Sequence, residues 1–151
     1  MSSVINTPFE ISMRVLFVLI ADEKPKTLDM IAAIDFISVY SKTFGIADEN
    51  LHGDNFYKYG EFSARRVMVK KAMLSLIQRE MVDVYQRGDG YYFQANDVGE
   101  AFCKSFTSEY AIEYAEASKA ASVYISNKSE IEIFKEIISR STVDLYGGYY
   151  E

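Results

Sequence analysis

The sequence predicts a mainly helical α+β protein, in which a winged-helix-like domain is followed by a C-terminal helical extension. Several amphipathic stretches have helix-capping residues at their starts. A short hairpin pattern over Val82 to Ala95 directly follows the strongest helical stretch, as a wing follows its helix. At 151 residues the chain is most often one domain with one core. We expect residues 1–106 to form the winged-helix-like core and residues 107–151 the extension, which packs on the core or on a partner.

Two capped helices open the chain. Thr7 and Glu10 form a capping box around Pro8, which predicts a helix from about Pro8 to Ala21. Its apolar residues recur on one face: Phe9, Met13, Leu16, Phe17 and Ile20. Thr27 caps a second helix, which we expect to end between Lys42 and Gly45.

The stretch from Ile46 to Gly60 is rich in Gly, Asp and Asn, and it is predicted to be a loop. A loop of this length in a compact domain is usually functional or poorly ordered. His52 and Asp54 raise the question of a metal site, but two potential ligands this close favour a local turn-stabilising role.

The third predicted helix, Glu61 to Glu80, carries five basic and two acidic residues. Its basic residues either bind an anionic partner or form an ordinary solvated face. Val82 and Val84 alternate with polar residues in the strand that follows, and the return strand begins at Tyr91. Gly88, Asp89 and Gly90 supply a tight turn, and so short a hairpin must pack on helices to be stable.

The C-terminal third is predicted to be helical with breaks. Asn96 or Asp97 caps a short helix from Val98, and a longer helix runs from Ser108 to about Ser126. A short apolar helix around Ile131 to Ile138 then packs on the core or meets another chain, with core packing favoured. The final residues, DLYGGYYE, are interrupted by glycine, and we expect them to be loose unless a partner orders them.

Charge and composition exclude several classes of protein. The net charge of −6 and pI near 4.9 have the wrong sign for general binding to phosphate backbones. Residues 61–100 alone escape net negative charge, with six basic and six acidic side chains. No apolar run approaches the length of a membrane span, and one cysteine and one histidine argue against disulfides and His-based metal sites. We therefore expect a soluble cytoplasmic protein without cofactor or metal.

Five segments in order resemble the small middle component, type two, of ABC-three-component systems, which are bacterial conflict systems that include Lamassu-type defence. These segments are NTPFE…R from Asn6, TLDMIAAIDFISVYS from Thr27, LHGDNFYKYGEFSARR from Leu51, LSLIQREMVDV from Leu74, and FTSEYA from Phe106. The resemblance covers about Asn6 to Ser118, and Gly53 and Phe56 stand where the family's loop motif has proline.

The resemblance implies a non-catalytic adaptor. In such systems an ABC ATPase that resembles structural-maintenance-of-chromosomes (SMC) proteins senses DNA, a third component carries a nuclease or another toxic domain, and the middle protein holds the two together. The sequence also lacks a phosphate-binding loop and any familiar nucleophile or nuclease motif. DNA contact is then indirect, through the complex, or weak and local.

Aromatic and basic side chains are the expected partner contacts, because tyrosine gives a large contact area at low entropic cost and arginine makes forked bonds to carboxylates. The candidate contacts are Tyr57, Tyr59, Arg65, Arg66, Lys70, Tyr149 and Tyr150. Two other functions stay open: a stand-alone winged-helix transcription regulator, and an enzyme with an unfamiliar site in the Ile46 to Gly60 loop.

Overall fold

A computed structural model describes residues 7–51 and 58–150, with side chains in these ranges except those of residues 58–61 and 141–150. Six helices and one hairpin make up this part of the chain, so the predicted mainly helical α+β class is confirmed. The elements are α1 (Pro8–Ala21), α2 (Leu28–Val39), α3 (Lys58–Gln78), β1 (Val82–Arg87), β2 (Gly90–Ala95), α4 (Asp97–Lys104), α5 (Glu109–Tyr124) and α6 (Glu130–Tyr150).

Side-chain caps set the starts of five helices. In each, a side-chain oxygen accepts a hydrogen bond from the backbone N–H three residues later, at 3.0 to 3.2 Å, and the capping residues are Thr7, Thr27, Asn96, Ser108 and Ser129. Each bond satisfies a donor that the helix itself leaves open. The predicted caps at Thr7 and Thr27 are confirmed, and Asn96 rather than Asp97 caps α4.

The bounds of α2, α3 and α6 differ from the sequence prediction. α2 ends at Val39, several residues early, and turns follow up to Gly45, whose φ of 73° suits glycine. α3 begins at Lys58, inside the stretch that was predicted to be a loop. α6 continues through Gly147 and Gly148 to Tyr150, well beyond the short helix that was predicted around Ile131 to Ile138.

The predicted hairpin is present. β1 and β2 are antiparallel, with Val82 opposite Ala95 and Arg87 opposite Gly90. On the other side of β2, Lys26 and Phe93 exchange backbone hydrogen bonds of 3.0 and 2.8 Å. The segment between the first two helices therefore bridges to β2, and a third helix and the hairpin follow in sequence. This arrangement is compatible with a winged helix.

One hydrophobic core joins the helices. α1 and α2 are its largest contributors, and Val69, Met73 and Leu76 contribute from α3. α6 also reaches this core through Ile133 and Ile137, which are 1% and 0% exposed. None of the helices in the described ranges combines the length and apolar character that crossing a bilayer requires.

Candidate functional site

A buried ionic cluster lies where four helices meet, and we define it as Arg14, Asp35, Arg65 and Tyr114. The Asp35 carboxylate on α2 accepts hydrogen bonds from Arg14 Nε of α1 at 3.0 Å and Arg65 Nη1 of α3 at 2.9 Å. The Tyr114 hydroxyl of α5 donates to the same carboxylate at 2.6 Å. All four side chains are at most 2% exposed. The cluster therefore joins α1, α2, α3 and α5 through one carboxylate.

The electrostatics of this cluster keep its charges fixed. Burial alone would raise the pKa of Asp35, but the charges of Arg14 and Arg65 and the Tyr114 hydrogen bond outweigh burial and hold that pKa well below its usual value. Burial and the neighbouring carboxylate raise the pKa of Tyr114 well above its usual value. Glu10 supplies a second carboxylate to Arg14 at 2.6 Å. The charged and hydroxyl groups of the cluster thus pair with one another, and such pairing is typical of a structural role.

The structure separates the two adjacent arginines that were predicted to contact partners. Arg65 points into the buried cluster and is 0% exposed, so its charge is used inside the chain. Arg66 lies on the surface, where its Nε donates to Asp29 Oδ1 at 2.9 Å. Lys70, one turn further along α3, is exposed and forms no ion pair with any residue of the described ranges. The partner-binding proposal is therefore kept for Arg66 and Lys70, and Arg65 positions their helix.

The predicted tyrosine contacts are less fully described. Tyr57 lies outside the described residues, as do His52 and Asp54 of the suggested metal site. Tyr59 falls in the first turn of α3, and Tyr149 and Tyr150 in the last turn of α6, each with only its backbone described. A partner contact through these tyrosines remains a proposal.

Two apolar residues on α3 were missed by the sequence analysis. Val67 and Leu74 are 56% and 54% exposed, although both lie in the middle of a helix whose opposite side is buried. Together with Arg66 and Lys70 they share one side at helical spacing, and we call these four residues the outer face of α3. The missed signal was their seven-residue spacing, out of phase with Val69, Met73 and Leu76.

A groove of about 330 Å³ lies on another side of α3, between that helix, the first turns of α1, and α4. We call it the α1–α3 groove. Phe9 forms part of the groove wall, and its side chain is 58% exposed. The sequence analysis had placed Phe9 on the apolar face of the first helix. The residues that line the groove are Pro8, Phe9, Ile11, Ser12, Met68, Lys71, Ala72, Ser75, Leu76, Arg79 and Phe102.

The described residues give little support for a metal site or for a reactive thiol. Among the residues that the structure describes, no three His, Cys, Asp or Glu side chains converge to hold a metal ion. Cys103 is fully buried, and burial raises the pKa of its thiol to about 12. That thiol is therefore protonated and inaccessible at neutral pH.

Comparison with known proteins identifies the family. The family model described as ABC-three component (ABC-3C) system Middle Component 2 matches residues 4–145. The match extends into α6 as far as residue 145, beyond the segments that carried the resemblance in sequence. No curated protein and no solved structure matches the chain. A family model that spans almost the whole sequence establishes membership, and the chain therefore belongs to the Middle Component 2 family of ABC-three-component defence systems.

Proposed function

We propose that this chain is the non-catalytic adaptor of a cytoplasmic, Lamassu-type defence complex, in which it joins an SMC-like ABC ATPase to an effector subunit, expected to be a nuclease. Membership of a middle-component family means that the chain works with other components of a multi-subunit system. The outer face of α3 is the observation that carries the adaptor role, because its chemistry suits a protein partner.

The outer face combines apolar area with local positive charge. Val67 and Leu74 each expose more than half of their surface, so covering both would contribute roughly 2 kcal/mol from apolar burial. Arg66 and Lys70 flank these residues on a chain whose net charge is −6. An acidic partner surface would be repelled by most of the molecule and attracted here, which orients the encounter.

The rival function, reading DNA with α3, uses the same surface. Lys70 favours it, because the third helix of a winged helix enters the major groove. The hairpin is less suitable, because its cation Arg87 lies over the Tyr92 ring at 4.6 Å and Tyr92 in turn donates to Asp89. The exposed apolar surface of Val67 and Leu74 favours a protein partner over phosphates.

Co-purification distinguishes these functions. The tagged chain would be co-expressed with the ATPase and effector components from the same genome, as wild type, as Lys70→Glu combined with Leu74→Ser, and as Lys119→Glu. Lys119 is an exposed cation on α5, so its reversal matches the charge change away from the outer face. We expect the double variant to lose at least one component and the control to retain both.

Two results would refute the proposal. One is retention of both components by the double variant, with an unchanged circular dichroism spectrum. The other is tight binding of the isolated wild-type chain to duplex DNA with a steep dependence on salt, which would support the regulator instead. Arg65 is left unchanged in these variants because its loss would disturb the buried cluster.

A further inference from the structure

The α1–α3 groove has an apolar floor and a preformed aromatic wall. Ile11, Ala72 and Leu76 at its base are buried, and Phe9 projects beside them. The rings of Phe9 and Phe106 pack edge to face with their centroids 5.4 Å apart, and those of Phe106 and Phe102 do so at 5.0 Å. These ring contacts hold Phe9 in place although it is more than half exposed. A side chain fixed in this way loses little freedom when a ligand covers it, as is typical of an interface anchor.

Two cations define the rim of the groove. Lys71 lies on α3 and Arg79 directly follows its last residue, Gln78, so their backbones are eight residues apart, about 12 Å at the rise of a helix. Both are exposed, and neither forms an ion pair with another residue of the described ranges. No carboxylate occurs among the described residues that line the groove, although acidic residues outnumber basic ones in the whole chain. The local charge therefore selects an anionic occupant.

We propose that the α1–α3 groove binds an acidic amphipathic helix from another component of the complex. Apolar side chains of this helix, spaced at i, i+3 or i+4, and i+7, would cover Phe9 and the floor. Two carboxylates about two turns apart on one flank of the helix would meet Lys71 and Arg79. The inference rests on the proposed adaptor function and adds a second contact, distinct from the outer face of α3.

Other occupants fit the groove less well. Phosphate groups would satisfy the two cations but would leave the apolar floor and Phe9 without a matching surface. The chain's own residues 1–6, MSSVIN, contain no carboxylate, so charge complementarity does not select them. A small anionic molecule would not readily reach both cations across about 12 Å and also cover the floor.

Photo-cross-linking from Phe9 tests the proposal in the assembled complex. Phe9 would be replaced by p-benzoylphenylalanine in the full chain, co-expressed with the ATPase and effector components, and cross-linked peptides would be identified by mass spectrometry. We expect a cross-link to an amphipathic segment of one of these components, with acidic residues seven or eight positions apart. Lys71→Glu combined with Arg79→Glu should reduce the yield about tenfold or more, because both rim attractions become repulsions.

Lys70→Glu is the matched control, since it reverses a neighbouring cation outside the groove. In a complex that still assembles, it should leave the cross-link from Phe9 in place. A synthetic peptide of the cross-linked segment should bind the purified chain by fluorescence anisotropy, with the same loss in the Lys71 and Arg79 double variant and weaker binding as salt rises.

The outcomes separate this inference from the proposed function. A complex that assembles but cross-links Phe9 only to residues 1–6, to a second copy, to nucleic acid or to nothing overturns the groove proposal and leaves the adaptor function standing. Equal yields in the rim variant and the wild type also overturn the groove proposal. If no complex forms with the wild-type chain, both proposals fall.

Discussion

Replacing Asp35 by Asn should destabilise the chain strongly, because it removes the one carboxylate that Arg14, Arg65 and Tyr114 share. The amide keeps the shape but loses the charge, so the buried Arg14 and Arg65 both lose the carboxylate that they share. Removing one partner of a buried ion pair typically costs about 3 to 5 kcal/mol. We expect a loss of that size in the free energy of unfolding.

Urea denaturation of the purified full chain measures this loss. With a slope of about 2 kcal/mol per M, the midpoint should fall by roughly 1.5 to 2.5 M. Asp29→Asn is the matched control, because Asp29 pairs with Arg66 at the surface, where the two side chains are 41% and 50% exposed. That exposed pair should contribute at most about 1 kcal/mol. If Asp35→Asn costs no more than Asp29→Asn, the assignment of Asp35 as the hub of the fold is wrong.

The difference in stability between wild type and Asp35→Asn should depend on pH in a definite direction. The folded-state pKa of Asp35 lies below its unfolded value of about 3.9, so its contribution is fully present above about pH 4 and is lost as the pH falls towards the folded pKa. The difference in stability between wild type and Asp35→Asn should therefore be constant near neutrality and shrink below about pH 4. A difference that instead shrinks between pH 6 and 8 would contradict this assignment.

Two further predictions concern the packing of α4. Gly99→Ala should destabilise the chain by about 2 kcal/mol or more, because a Cβ at Gly99 would lie 2.3 Å from the backbone oxygen of Met81; a thermal melt checks this, and an unchanged midpoint would contradict the close approach of α4 to the start of the hairpin. Cys103 should resist a thiol reagent such as DTNB in the native chain and react at once in urea, because it is buried and burial raises its pKa to about 12. Rapid reaction without denaturant would show that α4 opens readily.

The sequence predicts those parts of this fold that depend on local contacts. Thr7 and Thr27 cap helices through hydrogen bonds that span three residues, and the Gly-rich turn fixes the hairpin, so both were found. The continuation of α6 through Gly147 and Gly148 was not predicted. These glycines weaken a helix locally, but they do not end one that Ile133 and Ile137 already anchor on the core.

The candidate site was harder to predict, because its geometry depends on distant parts of the chain. Arg65 and Arg66 are adjacent and chemically identical, but Arg65 lies one turn before the buried Val69 and pairs with Asp35, thirty residues earlier in the chain. Phe9 fitted the apolar face of the first helix, but its exposure depends on where α4 ends and on the Phe106 ring. Hydrophobic periodicity predicts which side of a helix is buried, but it does not predict which residues on that side a neighbouring element leaves exposed.

The buried cluster and the two candidate binding surfaces are linked through α3. Arg65 ties this helix to Asp35 and, through that carboxylate, to α1 and α5, so the rotation of α3 about its own axis is set inside the chain. That rotation places Val67 and Lys70 on the outer face and turns Lys71 and Arg79 towards the α1–α3 groove. A partner would then meet surfaces that are already oriented and would lose less entropy on binding. Loss of Asp35 should accordingly weaken both contacts together, whereas Lys70→Glu and the Lys71 and Arg79 double variant should each weaken one.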